Sequence, residues 1–398
     1  MTTETTTRYL RKARAIALLL AITGPGPLSG IPPQTSQKTP ATIADQLSTS
    51  ERLRKPGWWP TKGTFARSDF VGTHTCARCH ADIVATQQQS AMARTASRAA
   101  DSDLLRAHEL NYSLTPYTYH ASIRDSAATY SVSDGGQSII GPLTWTFGIR
   151  MGQSFFFDHN GHTFLVPLTY YPEPQRYDFT VDQSHSAPES LDKAIGRPLS
   201  QEIIKGCFDC HTTAATTGEQ FAPEQAIPGV TCESCHGPGS DHLAAAKSGL
   251  VDQGTTLILN PRHLKPVDSI DFCGACHRTW WDVTLGDTGG AKSLRFQPYR
   301  IENSRCWGKG DARLTCVACH DPHKPLVRDA STYDDRCMNC HVSGAGARPS
   351  ADHPGPACPK ATSNCAGCHM PQYQVVDIPV KFTDHQIRVV RPGDPIPE

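Results

Sequence analysis

Seven copies of one cysteine–histidine motif run through this chain of 398 residues. In each copy two cysteines are separated by two residues, and a histidine directly follows the second cysteine. C-x-x-C-H is the attachment motif of a c-type haem, in which both thiols bond to the porphyrin and the histidine becomes an axial iron ligand. We therefore expect seven covalently bound haem c groups. In chain order the motifs are Cys76/Cys79/His80, Cys207/Cys210/His211, Cys232/Cys235/His236, Cys273/Cys276/His277, Cys316/Cys319/His320, Cys337/Cys340/His341 and Cys365/Cys368/His369.

The histidine decides between haem and the other uses of a cysteine pair. C-x-x-C alone also occurs in zinc sites and in redox-active dithiols. A zinc ribbon leaves the residue after each pair free, and a redox dithiol needs one copy. Only 18 of the 398 residues are histidine, so chance does not place one after all seven pairs. Zinc in some of the motifs is the alternative.

The first thirty residues are typical of an export signal. Four basic residues precede a short apolar run at 15–22, and Gly24-Pro25-Gly26-Pro27 ends it. About eight apolar residues are too few for a bilayer, which needs about twenty. We expect a signal peptide over 1–30, with an uncleaved anchor as the alternative, and no later membrane span. Because haem is attached to this motif outside the bacterial cytoplasm, we expect a periplasmic or extracellular protein.

Charge and composition exclude some classes of partner. The chain has 38 basic and 38 acidic residues, and removing residues 1–30 leaves 34 and 37. Nucleic-acid binding usually comes with a basic excess, which is absent. A slightly acidic surface suits a basic redox partner. Only 38% of the residues are hydrophobic, with 31 glycines and 31 prolines, so we expect haem faces to supply much of the core.

The chain divides into a lead-in and one haem-rich region. Residues 31–70 are rich in Pro, Thr and Ser and predict a flexible lead-in. Residues 71–398 predict a mostly irregular and α-helical multihaem cytochrome c fold with a haem-packed core. It would hold the first haem at 76–80, a helical run at 81–99, a small antiparallel β insert at about 110–172 and six haems at 200–388. Strand patterns occur at 112–123, 128–132, 143–149, 153–157 and 163–168, with turns at 134–136 and at Asn160-Gly161.

Eleven histidines outside the motifs can supply the second axial ligand of an iron. His242 follows a Gly-Pro-Gly turn, His323 follows the fifth motif, and His385 stands in a tail without motifs, so these three are the leading candidates. His108 and His185 bracket the β insert. Met92 is a thioether alternative, although core packing is the commoner use of methionine. The remaining histidines are weaker candidates: 74, 120, 159, 162, 263 and 353.

Two cysteines, Cys306 and Cys358, are left over by the haem motifs. In an oxidising compartment a spare pair favours a disulfide. Two buried free thiols are the alternative.

Four segments resemble bacterial multihaem cytochromes c related to the nitrifier tetrahaem cytochrome and to hydroxylamine oxidoreductase. They are residues 229–239, 314–323, 365–371 and 382–385. The resemblance runs over about 71–388 and includes the β stretch at 143–171. It implies haem ligation by His242, His323 and His385. Three features depart from the family pattern. Met92 stands where many relatives have histidine, and Pro379-Val380-Lys381 stands where some relatives have an additional histidine. The sequence ends at Glu398, where many relatives continue into helical repeats.

These observations favour an exported electron-transfer protein that serves redox partners, other cytochromes among them. The alternative is a multihaem oxidoreductase that acts on a small nitrogen or sulfur compound at one five-coordinate haem. Pentahaem nitrite reductases use C-x-x-C-K, which this chain lacks. A further alternative is self-association into a cytochrome filament, with His74 or His385 as the ligand given to the next subunit.

Overall fold

An antiparallel β-sheet between residues 96 and 198 is the largest regular element of the protein. The computed structural model describes residues 65–218, 220–250, 257–286, 290–304, 306–307, 314–341, 358–375 and 378–397. The export signal expected over 1–30, most of the lead-in and His353 lie outside these residues. All described residues belong to one compact unit.

The large sheet has eight strands in the order β10-β7-β6-β5-β4-β3-β2, with β1 paired to β5. Alternating apolar residues give it one buried face, as expected for antiparallel strands. Its strands are β1 (Ala96–Arg98), β2 (Leu110–Leu114), β3 (Tyr117–Arg124), β4 (Ala127–Ser133), β5 (Ser138–Phe147), β6 (Ser154–His159), β7 (His162–Leu165) and β10 (Arg197–Pro198). Two-stranded sheets outside it are β8 (Leu168–Tyr171) with β9 (Arg176–Phe179), β11 (Thr212–Thr213) with β14 (Ile227–Pro228), β12 (Thr216–Thr217) with β13 (Gln220–Phe221), and β15 (Gln372–Gln374) with β16 (Lys381–Thr383).

Both predicted hairpin turns are confirmed. His159 pairs with His162 across the β6–β7 turn, and Asn160 and Gly161 both have positive φ, as a type I′ turn requires. At the β4–β5 turn the Asp134 carboxylate accepts hydrogen bonds from the backbone N–H groups of Gly136 and Gln137. Local turn chemistry therefore sets the register of these strands.

The expected fold class needs a correction, because the β structure is not a small insert. It extends from Ala96 to Pro198 rather than over 110–172, and it forms an eight-stranded sheet. The pattern at 112–123 indicates one strand, but the chain turns at Thr115-Pro116 and makes two. The short strands β1 and β10 lie beyond the predicted limits because they are too short to show a period-2 pattern.

The helices of the described residues are short, and many of them carry a haem motif. They are α1 (Thr73–Ala77), α2 (Ala81–Gln87), α3 (Asp103–Ala107), α4 (Leu191–Ala194), α5 (Gln201–His211), α6 (Cys232–His236), α7 (Ser240–Lys247), α8 (Pro266–His277), α9 (Trp280–Leu285), α10 (Gln297–Glu302), α11 (Cys316–Cys319), α12 (Asp334–Met338) and α13 (Cys365–His369). The helix expected over 81–99 ends at Gln87. The residues of β1, near the end of the expected range, form a strand because they pair with Phe147, Thr146 and Trp145 of β5.

One apolar cluster joins the sheet to the second motif. Phe208, which stands between Cys207 and Cys210, packs edge-on against Trp145 at 4.8 Å and Phe147 at 5.2 Å between ring centroids. Phe147 also lies 5.7 Å from the ring of His211. The sheet therefore forms a wall behind the second motif. Among the described helices, none combines the length and the apolar character that a membrane crossing requires.

Candidate haem-attachment sites

All sixteen cysteines lie in the described part of the chain, and none of them is in a disulfide. The fourteen motif thiols are therefore unbridged, as covalent attachment to a porphyrin requires. Within the described residues, no group of three or more His, Cys, Asp or Glu side chains is arranged to hold a metal ion. The C-x-x-C pairs thus do not converge into the four-ligand clusters that structural zinc uses.

The disulfide expected between Cys306 and Cys358 is not formed. Cys358 is exposed, and its sulfur accepts hydrogen bonds from the backbone N–H groups of Lys360 and Ala361, which lower its pKa. The sulfur is therefore held in its own turn.

Three motif histidines each lie opposite a histidine from elsewhere in the chain. The ring centroids are 6.4 Å apart for His80 and His242, 6.0 Å for His236 and His323, and 6.3 Å for His320 and His385. The second members are the three leading candidates from the sequence. Each pair joins separate segments, so the fold brings these rings together.

The spacing within these pairs fits a metal ion held between two imidazoles. A metal–imidazole bond is about 2 Å long and the ring centre lies about 1 Å beyond the nitrogen, so rings on opposite sides of one metal have centres about 6 Å apart. The rings of His236 and His323 are within 9° of parallel, and those of His80 and His242 within 24°. The donor set and the spacing therefore both fit axial ligation of haem iron.

Backbone carbonyls hold several of these imidazoles in a ligating tautomer. Nδ1 of His236 donates to the carbonyl of Leu259 at 2.8 Å, and Nδ1 of His385 donates to that of Thr383 at 3.0 Å. Another motif imidazole does the same, since His369 donates to the carbonyl of Arg388 at 2.8 Å. A carbonyl only accepts, so each Nδ1 carries the proton and each Nε2 keeps a free lone pair for a metal.

Burial keeps these rings neutral. It lowers the pKa of His211 and of His385 to about 4, and it lowers the pKa of His320 below the ordinary value. For His385 a further cause is the nearby imidazole of His320. Only the neutral imidazole can ligate, so the rings are ready at neutral pH.

Five predicted haem-binding residues lie in more open surroundings than a haem-packed core implies. The cysteines Cys79, Cys276 and Cys368 and the histidines His80 and His277 are exposed, and Cys340 and His341 are half-buried, like most of the other motif residues. In the sixth motif the backbone N–H groups of Cys340 and His341 both donate to the carbonyl of Cys337, at 3.1 Å and 2.9 Å. This tight turn keeps the local form of the motif. Thioether attachment at the fourteen motif cysteines, Cys79, Cys340 and Cys368 among them, and iron ligation by the seven motif histidines, His341 included, stay predictions.

Glu233, inside the third motif, clamps the first motif to the turn that leads to His242. Its side chain is 1% exposed. Oε1 accepts from the N–H groups of Val71 at 2.8 Å and Gly239 at 2.9 Å, and Oε2 accepts from that of Gly72 at 2.9 Å. Gly72 caps α1, which contains Cys76 of the first motif, and Gly239 caps α7, which contains His242. One carboxylate thus positions both sides of the first histidine pair.

Asp384 has the same function for the segment that carries His385. Its carboxylate is fully buried and forms two hydrogen bonds with Arg300, Nε to Oδ1 at 2.8 Å and Nη2 to Oδ2 at 2.9 Å. The N–H of Gln386 and the guanidinium of Arg388 also donate to it. Burial alone would raise the pKa of Asp384, but these donors hold it below the ordinary value.

The motifs contact one another in a continuous series. Cysteines of different motifs lie close enough to shift one another's pKa in three places, which makes the first and third motifs neighbours, as well as the fourth and fifth, and the sixth and seventh: Cys76 and Cys232, Cys273 and Cys316, and Cys337 and Cys365. The second and fourth motifs exchange thiol–carbonyl hydrogen bonds: Cys210 donates to Ala275 at 3.7 Å and Cys276 to Asp209 at 3.9 Å. The third and fourth motifs are also neighbours, because the charge of an ionised Cys235 would raise the pKa of Cys273, and the fifth and sixth motifs are neighbours for the same reason through Cys319 and Cys337.

The remaining ligand candidates lie elsewhere. His108 stacks on Tyr170 at 4.5 Å and His185 on Phe179 at 4.3 Å, so both cover the β8–β9 hairpin. Met92 is half-buried, and its carbonyl accepts from a backbone N–H of residue 230 at 3.0 Å. Ligation by His108, His185 and Met92 stays a prediction.

Three motif histidines have no partner of the paired kind. In the part of the chain that the structure describes, no second imidazole lies at the 6 Å spacing from His211, His277 or His369. Within the described ranges, no histidine is therefore assigned as the second axial ligand of these three motifs.

Glu233 and Arg300 are the positioning residues that sequence reasoning missed. Each acts on backbone or side chains far along the chain, 161 to 162 residues away for Glu233 and 84 for Arg300. A glutamate inside the motif was the only available signal for the first, and nothing in the local sequence marks the second.

Comparisons with known proteins agree with this chemistry. A family model described as cytochrome c554 and c-prime matches residues 177–237, which include the second and third motifs. The high-molecular-weight cytochrome c of Nitratidesulfovibrio vulgaris is 29% identical over 194 residues, covering 46% of this chain and 29% of that protein. The multiheme cytochrome MtrA of Shewanella baltica is 20% identical over 210 residues, covering 48% of this chain and 54% of that protein.

A similar solved structure is that of the outer cell wall cytochrome OcwA, with a TM-score of 0.46 and 13% identity. The match covers 81% of this chain and 80% of that chain. This chain spans about half or less of the length of the curated relatives it matches.

Proposed function

We propose that this chain, a multihaem c-type cytochrome by its motifs and its relatives, carries electrons between redox partners through seven closely spaced haem c groups. The observation that carries the proposal is the set of three histidine pairs, each joining a motif histidine to a histidine predicted as its axial partner. Haem iron supplies a reversible one-electron couple, and two imidazole ligands leave it no open position.

The protein's own residues do the rest of the work. Thioether attachment at the fourteen motif cysteines would fix each porphyrin edge, and the Nδ1 hydrogen bonds of His236, His369 and His385 fix the ligating rings. Glu233 and Asp384 hold the segments that carry the distal histidines. Because these groups are held before any electron arrives, little reorganisation is needed when the charge of a site changes.

Motif contacts support a continuous path. Neighbouring cysteines connect the motifs in the order first, third, fourth, fifth, sixth and seventh, and a hydrogen bond from Cys210 to the carbonyl of Ala275 joins the second to the fourth. Each motif cysteine would hold an edge of its own haem, so neighbouring haem edges would lie close together. We infer a wire with one branch, which ends at the second motif beside the β-sheet.

We further propose that the chain is exported to the periplasm or the cell exterior and that its partners are other cytochromes. A relationship to the nitrifier tetrahaem cytochrome and to hydroxylamine oxidoreductase belongs to the same proposal. His385 faces His320 of the same chain, so His74 is left as the ligand for a filament contact.

One observation favours the enzyme alternative in part. His211, His277 and His369 have no imidazole at the ligating spacing among the described residues, so their motifs are candidates for a haem with an open position. Such a haem can bind small molecules. It would act on a small nitrogen or sulfur compound.

Ligand-binding spectra and turnover test the two functions on the holoprotein. Electron transfer predicts that the fully reduced protein gives up electrons from every haem to an oxidised c-type cytochrome, without turnover of hydroxylamine, nitrite or sulfite. Cyanide-insensitive, low-spin haems would agree with this result. Steady-state turnover of one of these compounds, abolished by cyanide, would replace the wire with the enzyme.

A further inference from the structure

A pocket of about 290 Å³ with an excess of positive charge lies outside the histidine pairs. Three arginines line it, Arg94, Arg150 and Arg328, together with one acidic residue, Glu173. Its other walls are formed mainly by Gln89, Ala91, Ile149, Pro172, Pro325 and Leu326. Pockets that bind small molecules are concave and begin at about this size.

The positive charge in this pocket is incompletely neutralised. Glu173, the acidic residue of the pocket lining, forms an ion pair with Arg328 at 3.8 Å, so its carboxylate neutralises that one arginine. Within the described ranges, the guanidinium groups of Arg94 and Arg150 have neither a hydrogen bond nor an ion pair, although Arg150 is half-buried. An adjoining smaller pocket shares Arg94 and contains Asp101 and Asp103, and neither aspartate forms an ion pair with Arg94. Two forked donors are therefore available to an anion.

The pocket is built from segments that lead directly to two candidate iron ligands. Arg94 precedes Thr95, whose hydroxyl is 2.7 Å from Nδ1 of His211 and whose carbonyl accepts from Gly148 at 2.7 Å. Arg150 follows Gly148 by two residues. On the opposite wall, residues 325 and 326 come shortly after His323, which faces the third-motif histidine. The pocket thus lies between the segment that contacts the second motif and the segment that serves the third.

We propose that this pocket binds a small inorganic oxyanion, such as phosphate, sulfate or sulfite, through Arg94 and Arg150. Guanidinium groups match oxyanions because their planar fork donates two parallel hydrogen bonds. The volume of the pocket suits a small ion rather than the surface of a protein. The proposal does not rest on the role of the haems in electron transfer.

Isothermal titration calorimetry on the holoprotein, with inorganic phosphate, sulfate and sulfite at low ionic strength, tests the proposal. We expect saturable binding at one site, weakened at least about tenfold in Arg150→Gln, because a hydrogen bond to a charged group is lost. Arg94→Gln, at an exposed position where folding is not at risk, should weaken binding in the same direction. Arg262→Gln removes the same charge at an exposed site outside the pocket and should leave the affinity unchanged.

Three results would overturn the proposal. One is the absence of saturable binding for all three ions. Another is an equal loss of affinity in Arg150→Gln and Arg262→Gln, which would mean attraction to surface charge alone. The third is a holoprotein that binds no oxyanion but in which Arg150→Gln shifts a haem reduction potential, because the pocket would then hold a haem propionate. If the protein fails to transfer electrons but still binds oxyanions, the proposed function is contradicted and the pocket proposal stands.

Discussion

Arg300 and Asp384 form a bidentate salt bridge in which neither side chain has any solvent exposure. Arg300 also donates from Nη1 to the Ser293 hydroxyl at 3.3 Å and to the Pro397 carbonyl at 2.9 Å, so the guanidinium makes four hydrogen bonds in all. Asp384 directly precedes His385, the ring that faces the fifth-motif histidine. The salt bridge therefore ties the last segment of the chain to α10 and sets the place of a candidate ligand.

Asp384→Asn is expected to destabilise the protein by about 3–5 kcal/mol, because it leaves the Arg300 guanidinium buried without its counter-charge. Chemical denaturation followed by circular dichroism measures the change. Asp192→Asn, at an exposed position on α4, is the control and should change stability by less than about 0.5 kcal/mol. A stability equal to that of the control would show that the salt bridge contributes nothing.

Acid should weaken the same contact. The pKa of Asp384 is below its ordinary value because its donors outweigh its burial. A depressed pKa contributes stability above the unfolded-state pKa, and this contribution is lost as the pH falls through the folded-state pKa. We expect the wild-type protein to lose stability below about pH 4, and Asp384→Asn to lose less over the same range. Denaturation midpoints measured between pH 7 and pH 2 compare the two, and parallel curves would contradict the expectation.

Glu233→Ala is expected to loosen the His80–His242 pair. The substitution removes three hydrogen bonds to a charged acceptor and should cost about 3 kcal/mol or more. If His242 ligates the iron of the first motif, one haem should also change from low spin to high spin in the EPR spectrum. Glu202→Ala, an exposed glutamate on α5, is the matched control. Wild-type stability and an unchanged spectrum in Glu233→Ala would show that the clamp is dispensable.

Each distal histidine is expected to control one haem. His242→Ala, His323→Ala and His385→Ala should each convert one low-spin haem into a high-spin haem that binds cyanide, because ligand loss opens one position. His120→Ala is the control, since His120 lies on β3 and hydrogen-bonds Asn111 at 2.9 Å. EPR spectroscopy of the oxidised proteins counts the changes. A variant that keeps every haem low-spin would remove its histidine from the set of ligands.

Glu302 is expected to couple a haem potential to pH. Burial, and then the charge of Asp271, raise the pKa of Glu302 to about 7, and its charge acts on Cys316 of the fifth motif. Below this pH the carboxyl is neutral, and above it the negative charge disfavours a further electron nearby. The potential should therefore fall as the pH rises through about 7, by no more than about 59 mV per pH unit. Redox titrations from pH 5 to pH 9 should show this slope in the wild type and in Glu202→Gln, and its loss in Glu302→Gln.

The parts of the molecule that depend on local chemistry could be predicted from the sequence. The five residues of a C-x-x-C-H motif are enough to predict the cofactor, and the two residues Asn160-Gly161 are enough to predict a turn. His242 and His323 could be singled out because each follows a motif and a proline-containing segment. The structure places both opposite motif histidines.

The parts that depend on distant contacts could not be predicted. The strand β1 has three residues and exists because it pairs with β5, about fifty residues later. Glu233 looks like any residue between two motif cysteines until the fold brings Val71, Gly72 and Gly239 to its carboxylate. The sequence pattern underestimates the extent of the sheet, because β1 and β10 are too short for an alternation of polar and apolar residues to be recognised.

If the protein conducts electrons as proposed, seven haem c groups are covalently attached and the partners of His80, His236 and His320 ligate iron. Intact-mass spectrometry of the purified protein, combined with EPR of its oxidised form, is the decisive measurement. We predict a mass equal to the polypeptide plus seven haems, and at least three low-spin haems. A colourless protein with the mass of the bare polypeptide, or high-spin iron at those three motifs, would contradict the proposal.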